Sequence, residues 1–331
     1  MPSVDASNVV LFSGSSHPQL AQEVADYLGV RLGNANLTSF PDGETFVQIN
    51  ENVRNRDCFI VQSVALQPNE YLMELLVMID ALKRASARSV AAVIPYFGYC
   101  RQDRKDRPRV PITAKLVANM LEAAGVDRVV TMDLHADQLQ GFFDVPVDNL
   151  YGRPALVCGV KESGFDDFVV VTPDIGSIKL ARAYAIQLGT GMAIVDKRRV
   201  SATEVEVTTV IGDDVNGRNV LLVDDMISTG GTLVNAAQVC KDRGAREIRA
   251  LATHGLLVGK ALEKIEKSPI EKVLVSNTIA GRDKLSSFVE TVSVGYLLGE
   301  AIRCICSAES ISSLFEIRDC NTGRQQLSTM L

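Results

Sequence analysis

The chain has 331 residues, of which 47% are hydrophobic and 22% are charged, which is the balance of a globular protein large enough for two cores. Its formal net charge of −6 argues against a nucleic-acid-binding or membrane-surface protein, because both need an excess of basic residues. No apolar run approaches the ~20 residues of a membrane span, and the first residues lack the pattern of a secretion signal. We therefore expect a cytoplasmic protein that binds neither nucleic acid nor membrane.

Strand-like apolar runs alternate with helical patterns along the whole chain. The predicted strands are Val9–Phe12, Phe59–Gln62, Val90–Ile94, Arg128–Met132, Phe168–Val171, Met192–Val195, Val220–Val223, Ile248–Ala252 and Val273–Val275. The predicted helices include Gln19–Leu28, Glu70–Ala85, Ile112–Ala124, Ile178–Leu188 and Thr232–Arg243. Such alternation is typical of parallel sheets with crossover helices.

This alternation predicts an α/β fold made of two similar doubly wound domains. We place the first domain at residues 1–149 and the second at residues 150–300. The remaining residues, 301–331, are expected to form a C-terminal helix and tail that pack back on the first domain.

The first polar segment with a possible function is Phe40–Glu44, in which Pro-Asp-Gly favours a turn. From spacing alone, the tip of a hairpin is the better interpretation. The alternative is a binding function, in which Phe40 stacks on a base while Asp42 and Glu44 accept hydrogen bonds from amino or hydroxyl groups.

A basic segment follows the predicted strand Val90–Ile94. Residues 101–109 carry more basic than acidic side chains in an otherwise acidic chain. Because the planar guanidinium of arginine binds two phosphate oxygens at once, this segment is a candidate phosphate site. A solvated charged loop is the alternative interpretation.

Two further strand ends carry acidic residues. Asp133, His135 and Asp137 follow the strand Arg128–Met132, and Asp174 follows the strand Phe168–Val171. A lone histidine is more often structural. Here, however, flanking carboxylates make a magnesium site reasonable, because Mg²⁺ keeps several waters and bridges to substrate phosphates.

Three consecutive cations, Lys197, Arg198 and Arg199, follow the predicted strand Met192–Val195. Residues 200–208 show no strong pattern, so we predict a mobile flap there. Beside a phosphate site, such cations stabilise developing negative charge. A solvated turn is the alternative.

The most informative stretch is Asn219–Leu233. A buried strand ends in Asp224 and Asp225, and the turn Ser228–Thr232 leads into a helix. Backbone N–H groups at such a helix start favour a phosphate, and carboxylates suit ribose hydroxyls. An ordinary capped turn is the alternative. The stretch has neither the phosphate-loop pattern Gly-x-x-x-x-Gly-Lys nor the dinucleotide pattern Gly-x-Gly-x-x-Gly.

The last of these segments resembles the phosphoribosyl-binding loop of type I phosphoribosyltransferases, and that resemblance implies a phosphoribosyltransferase-like fold for both domains. All the segments together resemble the ribose-phosphate diphosphokinase, or phosphoribosyl pyrophosphate synthetase, family. The motifs that carry this resemblance are Phe-Pro-Asp-Gly-Glu at 40–44, Pro-Tyr-Phe-Gly-Tyr-x-Arg-Gln-Asp-Arg at 95–104, Asp-Leu-His at 133–135, Pro-Asp-Ile-Gly at 173–176, Asp-Lys-Arg-Arg at 196–199 and the loop at 224–232.

The resemblance implies a role for each matching residue. ATP would be held by Phe40, Asp42, Gly43, Glu44, Arg101, Gln102 and Arg104. The metal ion, Mg²⁺, would be held by His135, Asp174 and Asp133. Lys197 and Arg199 would be the catalytic cations. Ribose 5-phosphate would be held by Arg199, Asp224, Asp225, Ser228, Thr229, Gly230, Gly231 and Thr232.

The implied activity is transfer of the β,γ-diphosphoryl group of Mg-ATP to the 1-hydroxyl of ribose 5-phosphate, which gives AMP and 5-phospho-α-D-ribose 1-diphosphate for nucleotide biosynthesis. The family also implies a homo-oligomer, either a hexamer or another dimer-based assembly. The main alternative is a catalytically silent homologue that regulates an active synthetase. A phosphoribosyltransferase and a nucleotide-sensing transcription factor are the others, and an ATP site and an acidic chain disfavour them respectively.

Overall fold

The structure is a computed structural model that describes residues 8–198 and 207–315. Its strands in chain order are β1 (Val9–Ser13), β2 (Ala35–Ser39), β3 (Thr45–Ile49), β4 (Asp57–Val61), β5 (Ser89–Ile94), β6 (Arg128–Met132), β7 (Val147–Leu150), β8 (Phe168–Thr172), β9 (Met192–Arg198), β10 (Val207–Gly212), β11 (Asn219–Ile227), β12 (Ile248–Gly255), β13 (Ile270–Ser276) and β14 (Val289–Val292).

The α-helices are α1 (Pro18–Leu28), α2 (Pro68–Arg84), α3 (Thr113–Ala124), α4 (Arg153–Glu162), α5 (Ile178–Leu188), α6 (Gly231–Asp242), α7 (Ala261–Glu266) and α8 (Gly295–Cys306). Short 3-10 helices cover Asp137–Phe142 and Ile311–Phe315. In the described residues, no helix is both long and apolar enough to span a membrane.

Contacts divide the chain into two compact units. The first unit comprises Met1–Gly152, the short segment Thr278–Ala280 and the segment that begins at Ser293. The second unit comprises Arg153–Asn277 and Gly281–Val292. Helix α8, which begins inside the range expected for the second domain, therefore belongs to the first unit.

The described part of the first unit contains a parallel sheet of five strands in the order β1-β4-β5-β6-β7. Strands β2 and β3 form a separate antiparallel hairpin. Every residue of β5 after Ser89 is buried, as expected for a parallel strand covered on both faces. Because this order follows the chain, the sheet grows in one direction.

Helices α1 and α8 come from opposite ends of the described chain and pack against each other in the first unit. Gly299 on α8 lies against the ring of Tyr27 on α1, and a Cβ at this glycine would come within 2.5 Å of the ring. Such close approach needs a residue without a side chain. The same tyrosine donates a hydrogen bond to Glu300 Oε2 at 2.8 Å.

The described part of the second unit contains a sheet of seven strands in the order β10-β9-β8-β11-β12-β13-β14. All neighbours are parallel except the pair β9 and β10. Branched and small side chains from its central strands, such as Val171, Leu222 and Ala250, are fully buried in one core.

The second sheet changes its direction of growth between β8 and β11. From β8 the chain adds β9 and β10 on one side, and from β11 it adds β12, β13 and β14 on the other. In parallel α/β sheets, ligands bind outside the carboxyl ends of the strands at this switch point. The fold therefore places a candidate site at the ends of β8 and β11.

The predicted α/β class with parallel sheets is confirmed. All the predicted strands and helices are present; β6 and α5 have the predicted bounds, and the others have shifted ends. The largest shift is in β11, which was predicted to end at Val223 and instead continues to Ile227. The reason is that β12 continues alongside it, so that Asp224, Met226 and Ile227 keep strand partners.

Candidate functional site

The two carboxylates Asp224 and Asp225 lie on a part of β11 that has a neighbour on one side only. Pairing with β8 ends at Leu222, whereas pairing with β12 continues to Ile227. The loop that leads from β8 to α5, which contains Asp174, contacts this part of β11 through the hydrogen bond from Ser177 to Asp224. Carboxylates from two segments therefore meet at the switch point of the second sheet.

Asp224 is held by two hydrogen bonds to the same oxygen. Ser177 Oγ donates to Asp224 Oδ1 at 2.8 Å, and the backbone N–H of Asp225 donates to that atom at 3.0 Å. Burial and the neighbouring charge of Asp225 raise the pKa of Asp224 to about 7, although the Ser177 hydrogen bond acts in the opposite direction. A carboxylate with such a pKa titrates near physiological pH.

Asp174 is exposed and lies in a loop that hydrogen bonds fix from both ends. Its Oδ1 accepts from the backbone N–H of Ser177 at 3.2 Å. Its carbonyl oxygen accepts from the hydroxyl of the buried Thr172 at 2.9 Å. These bonds hold the carboxylate at the end of β8 and leave it open to solvent, as a ligand for a metal or a sugar must be.

The turn Ser228–Thr232 joins β11 to α6. Gly230 has a φ of +72°, which glycine adopts readily, and the helix begins at the next residue. Carbonyl oxygens of Ser228 and Thr229 accept from Val258 N at 3.0 Å and from Lys264 Nζ at 3.4 Å, which anchors the turn. The first N–H groups of α6 have no partner within the helix, so the turn can bind a phosphate.

The predicted catalytic cations lie at the edge of the described residues. Lys197 belongs to β9, where its backbone pairs with Thr208 of β10. Arg199 and residues 200–206 lie outside the described residues, so only residues 207–208 of the predicted flap are described.

In the first unit, Phe40–Glu44 forms the tip of the β2–β3 hairpin, as the spacing indicated. Phe40 N donates to Glu44 O at 2.8 Å, and Gly43, with a φ of +94°, donates to Phe40 O at 2.9 Å. The Phe40 ring is 49% exposed and contacts Phe46 edge to face, with 5.6 Å between centroids. One face of an aromatic ring is therefore presented to solvent.

The segment after β5 presents exposed arginines. Arg101 and Arg104 have no ion-pair partner among the residues that the structure describes. Gln102 is held at the start of α3, where its carbonyl accepts from Ala114 N at 3.2 Å and its side chain accepts from Thr113 Oγ1 at 2.5 Å. Two guanidinium groups beside a helix start favour an anion.

The loop after β6 carries an exposed histidine next to two residues that hydrogen bonds hold in place. Asp133 is buried, has a φ of +39°, and accepts from Gly152 N through Oδ2 at 2.9 Å. Asn149 Oδ1 accepts from Leu134 N at 3.1 Å. His135, which directly follows these two anchored residues, is exposed.

Within 8–198 and 207–315, no three His, Cys, Asp or Glu side chains form a cluster that would hold a metal ion alone. An exposed histidine or carboxylate can instead supply one ligand to an ion that arrives on substrate phosphates, because Mg²⁺ is usually bound by one or two protein groups with water and phosphate completing its shell. His135 in the first unit and Asp174 in the second unit are each exposed, whereas the buried Asp133 accepts a hydrogen bond from Gly152 N.

Two protein-family profiles match the chain. One is described as the N-terminal domain of ribose phosphate pyrophosphokinase and covers residues 9–125, and the other, described as the phosphoribosyl synthetase-associated domain, covers residues 198–316. A ribose-phosphate pyrophosphokinase from Wolinella succinogenes is 53% identical over 305 residues, which are 92% of this chain and 98% of the relative. The chain belongs to the ribose-phosphate pyrophosphokinase family.

Other members of the family show the same similarity. A ribose-phosphate pyrophosphokinase from Chlorobaculum tepidum is 51% identical over 312 residues, with 94% of this chain and 96% of the relative covered. Among solved structures, a phosphoribosylpyrophosphate synthetase from Mycobacterium smegmatis has a TM-score of 0.84 at 40% identity and covers 91% of this chain and 99% of its own. The resemblance inferred from the motifs is therefore confirmed at the level of the family.

The structure adds residues that sequence reasoning did not select for the site. Ser177 touches both Asp174 and Asp224, and Asn149 supports the loop of His135. The signal for Ser177 was its place three residues after Asp174, at the start of the predicted helix Ile178–Leu188. Its contact with Asp224, which is 47 residues away, could not be read from the sequence.

Proposed function

We propose that the chain transfers the β,γ-diphosphoryl group of ATP to the 1-hydroxyl of ribose 5-phosphate, giving AMP and 5-phospho-α-D-ribose 1-diphosphate. Membership of the family supports this activity. The observation that carries it is the pair Asp224 and Asp225 at a switch point, followed by the anchored turn into α6.

Ribose 5-phosphate fits the second unit. The turn Ser228–Thr232 offers N–H groups and hydroxyls to the 5-phosphate, and Arg199 adds a positive charge. Asp224 and Asp225 accept hydrogen bonds from the sugar hydroxyls. Each contact orients the ribose, so that its 1-hydroxyl is held for attack.

ATP fits the exposed groups of the first unit. Phe40 stacks on the adenine, and Asp42, Gly43 and Glu44 at the hairpin tip bond to the nucleoside. The guanidinium group of Arg101, with Gln102 beside it, contacts the phosphates, and Arg104 reaches the adenine side. The exposure of the Phe40 ring and of both arginines supports this assignment.

His135 of the first unit and Asp174 of the second unit would each be a ligand for Mg²⁺ carried on substrate phosphates, with Asp133 supporting the loop of the histidine. When bound, the ion would neutralise phosphate charge and fix phosphate geometry. The contribution of the chain is to present these two side chains on loops that hydrogen bonds hold in place.

The reaction is a single displacement in which all atoms are accounted for. The 1-oxygen of ribose forms a bond to the β-phosphorus while the bond from that phosphorus to the α,β-bridging oxygen breaks. The hydroxyl proton leaves to solvent, and AMP departs with the bridging oxygen. Lys197 and Arg199 stabilise the charge that develops on the oxygens, and positioning provides much of the remaining rate enhancement.

We place this activity in the cytoplasm and in a homo-oligomer that is a hexamer or another dimer-based assembly. The assembly is an expectation that the resemblance of the motifs implies, and the net charge of −6 supports the absence of nucleic-acid partners.

The test is product analysis with purified protein. AMP should form from ATP only when ribose 5-phosphate and Mg²⁺ are both present, with one 5-phospho-α-D-ribose 1-diphosphate per AMP. Formation of ADP would show transfer of a single phosphoryl group and contradict the proposal.

A catalytically silent homologue that regulates an active synthetase is the second candidate. The description of the profile that matches residues 198–316, a synthetase-associated domain, is the observation in its favour. The Lys197 and Arg199 pair and the complete 224–232 loop are the observations against it. The same assay separates the two, because a silent homologue forms no AMP by itself.

A further inference from the structure

Ser177 lies between two carboxylates of the second unit. Its hydroxyl donates to Asp224 Oδ1 at 2.8 Å, and its backbone N–H donates to Asp174 Oδ1 at 3.2 Å. The residue is half-buried and immediately precedes α5. One serine therefore connects the end of β8 to the acidic part of β11.

The hydroxyl of Ser177 does not cap α5, the helix that it precedes. A serine at this position usually accepts a hydrogen bond from a backbone N–H in the first turn. No such bond is made at the start of α5. The hydroxyl donates to Asp224 instead, so the usual helix-capping function does not explain its orientation.

The hydrogen bonds of Asp224 distinguish its two oxygens. In the part of the chain that the structure describes, both bonds to this side chain go to Oδ1, from Ser177 Oγ and from Asp225 N. Oδ2 remains available to a ligand. The serine thereby fixes the rotation of the carboxylate and determines which oxygen a sugar hydroxyl meets.

The support for Ser177 is itself rigid. The buried hydroxyl of Thr172 donates to Asp174 O at 2.9 Å and closes the loop in which both residues lie. A group that must orient a ligand-binding side chain needs such a support, because small displacements of a catalytic arrangement reduce the rate steeply.

We propose that Ser177 is a positioning residue for ribose 5-phosphate, which orients Asp224 through its hydroxyl so that Oδ2 faces a ribose hydroxyl. The inference rests on the proposed function, in which Asp224 binds the sugar. Ser177 does not touch the reacting atoms. Replacing Ser177 leaves the turn Ser228–Thr232 and the ATP-binding residues intact and weakens only the binding of the ribose.

The experiment compares Ser177→Ala, Ser177→Thr and the control Ser268→Ala by steady-state kinetics at pH 8. Ser268 lies in the same unit, and among the described residues its hydroxyl bonds only to the local backbone, donating to Ile265 O and accepting from Ile270 N. Loss of one charge-assisted hydrogen bond should raise KM for ribose 5-phosphate about tenfold in Ser177→Ala. KM for ATP and the melting temperature should stay unchanged, and Ser177→Thr, which keeps the hydroxyl, should restore KM.

Several results would overturn the inference. A KM for ribose 5-phosphate that is unchanged in Ser177→Ala would do so, as would a threonine variant as weak as the alanine variant. An equal rise in KM for ATP would show that the loop is disrupted as a whole, which also overturns it.

The variant Asp224→Ala separates failure of the inference from failure of the proposed function. If Asp224→Ala weakens ribose 5-phosphate and Ser177→Ala does not, only the positioning role is wrong. If neither variant affects KM for ribose 5-phosphate, the assignment of the sugar to Asp224 is wrong and the positioning role is wrong with it, whereas the proposed activity is overturned only if the wild type forms no AMP.

Discussion

The hydroxyl of Tyr27 on α1 donates a 2.8 Å hydrogen bond to Glu300 Oε2 on α8, across 273 positions of the chain. Arg303 also contacts Glu300, through Nε at 2.9 Å, and Glu309 at 2.8 Å. This network joins the two ends of the described chain within the first unit.

Replacing Tyr27 by phenylalanine should lower the free energy of unfolding by about 1 kcal/mol, because Glu300 loses a donor but keeps Arg303. Chemical denaturation measures this change. The matched control is Tyr71→Phe, also in the first unit, where the structure gives the hydroxyl no hydrogen bond. Equal losses in the two variants would show that the contact with Glu300 contributes nothing.

Binding of ribose 5-phosphate should weaken as the pH falls through about 7, which is the raised pKa of Asp224. Below that pH the carboxyl group is protonated and accepts hydrogen bonds less well. The measurement is KM for ribose 5-phosphate between pH 6 and pH 8. Asp224→Asn should bind ribose 5-phosphate more weakly at pH 8, and its KM should not rise further as the pH falls. A rise in KM that persists in this variant would come from protonation of the substrate phosphate.

The raised pKa of Asp224 also predicts how the free energy of unfolding depends on pH. Low pH, which weakens binding, favours the folded state through this group. Because the folded pKa of Asp224 lies above its unfolded value, its stabilising contribution is complete below the unfolded value and is lost as the pH rises through about 7. Asp224→Asn should therefore be more stable than the wild type at pH 8, by roughly 1 kcal/mol or more, and gain little at pH 4. Thermal unfolding at the two pH values measures the difference.

Replacing Lys197 by alanine should lower kcat by about 10²- to 10³-fold with little change in KM for ATP, because the cation acts on charge that exists only in the transition state. Steady-state kinetics measures both constants. Lys267→Ala is the control, because this lysine, at the end of α7, is exposed and its one ion-pair partner in the described part of the chain is Glu263. A large rise in KM with a normal kcat would assign Lys197 to ground-state binding instead.

Replacing Phe40 by alanine should raise KM for ATP about fivefold, because stacking of an aromatic ring on a base contributes about 1 kcal/mol. KM for ribose 5-phosphate should not change, which serves as the internal control. The ring is half-exposed, so the fold should tolerate its loss. An unchanged KM for ATP would show that the exposed face of the ring meets something other than the nucleotide.

Much of the fold could be predicted from the sequence because burial on both faces of a parallel strand leaves a local pattern. The runs Val90–Ile94 and Val220–Val223 are apolar for this reason. The edge strands β7 and β14 were missed, since they are short and only partly buried. The extension of β11 depends on β12, and a neighbour that is distant in sequence leaves no local signal.

The candidate site likewise contains residues that a local pattern predicts and contacts that depend on neighbours distant in sequence. Asp224, Asp225 and the turn that follows could be found from the sequence because residue types and spacing carry the chemistry. The bond from Ser177 to Asp224 could not, since it depends on β8 and β11 being neighbours in the sheet. The raised pKa of Asp224 likewise depends on burial, which only the assembled sheet determines.

The first unit is interrupted by the second along the chain, because the first needs the segment that begins at Ser293. During translation, every residue of Arg153–Val292 leaves the ribosome before α8 does. The second unit is therefore fully synthesised while α1 still lacks its helical neighbour. Ribosome-bound intermediates of this chain will therefore carry an incomplete first unit, although N-terminal domains generally fold first.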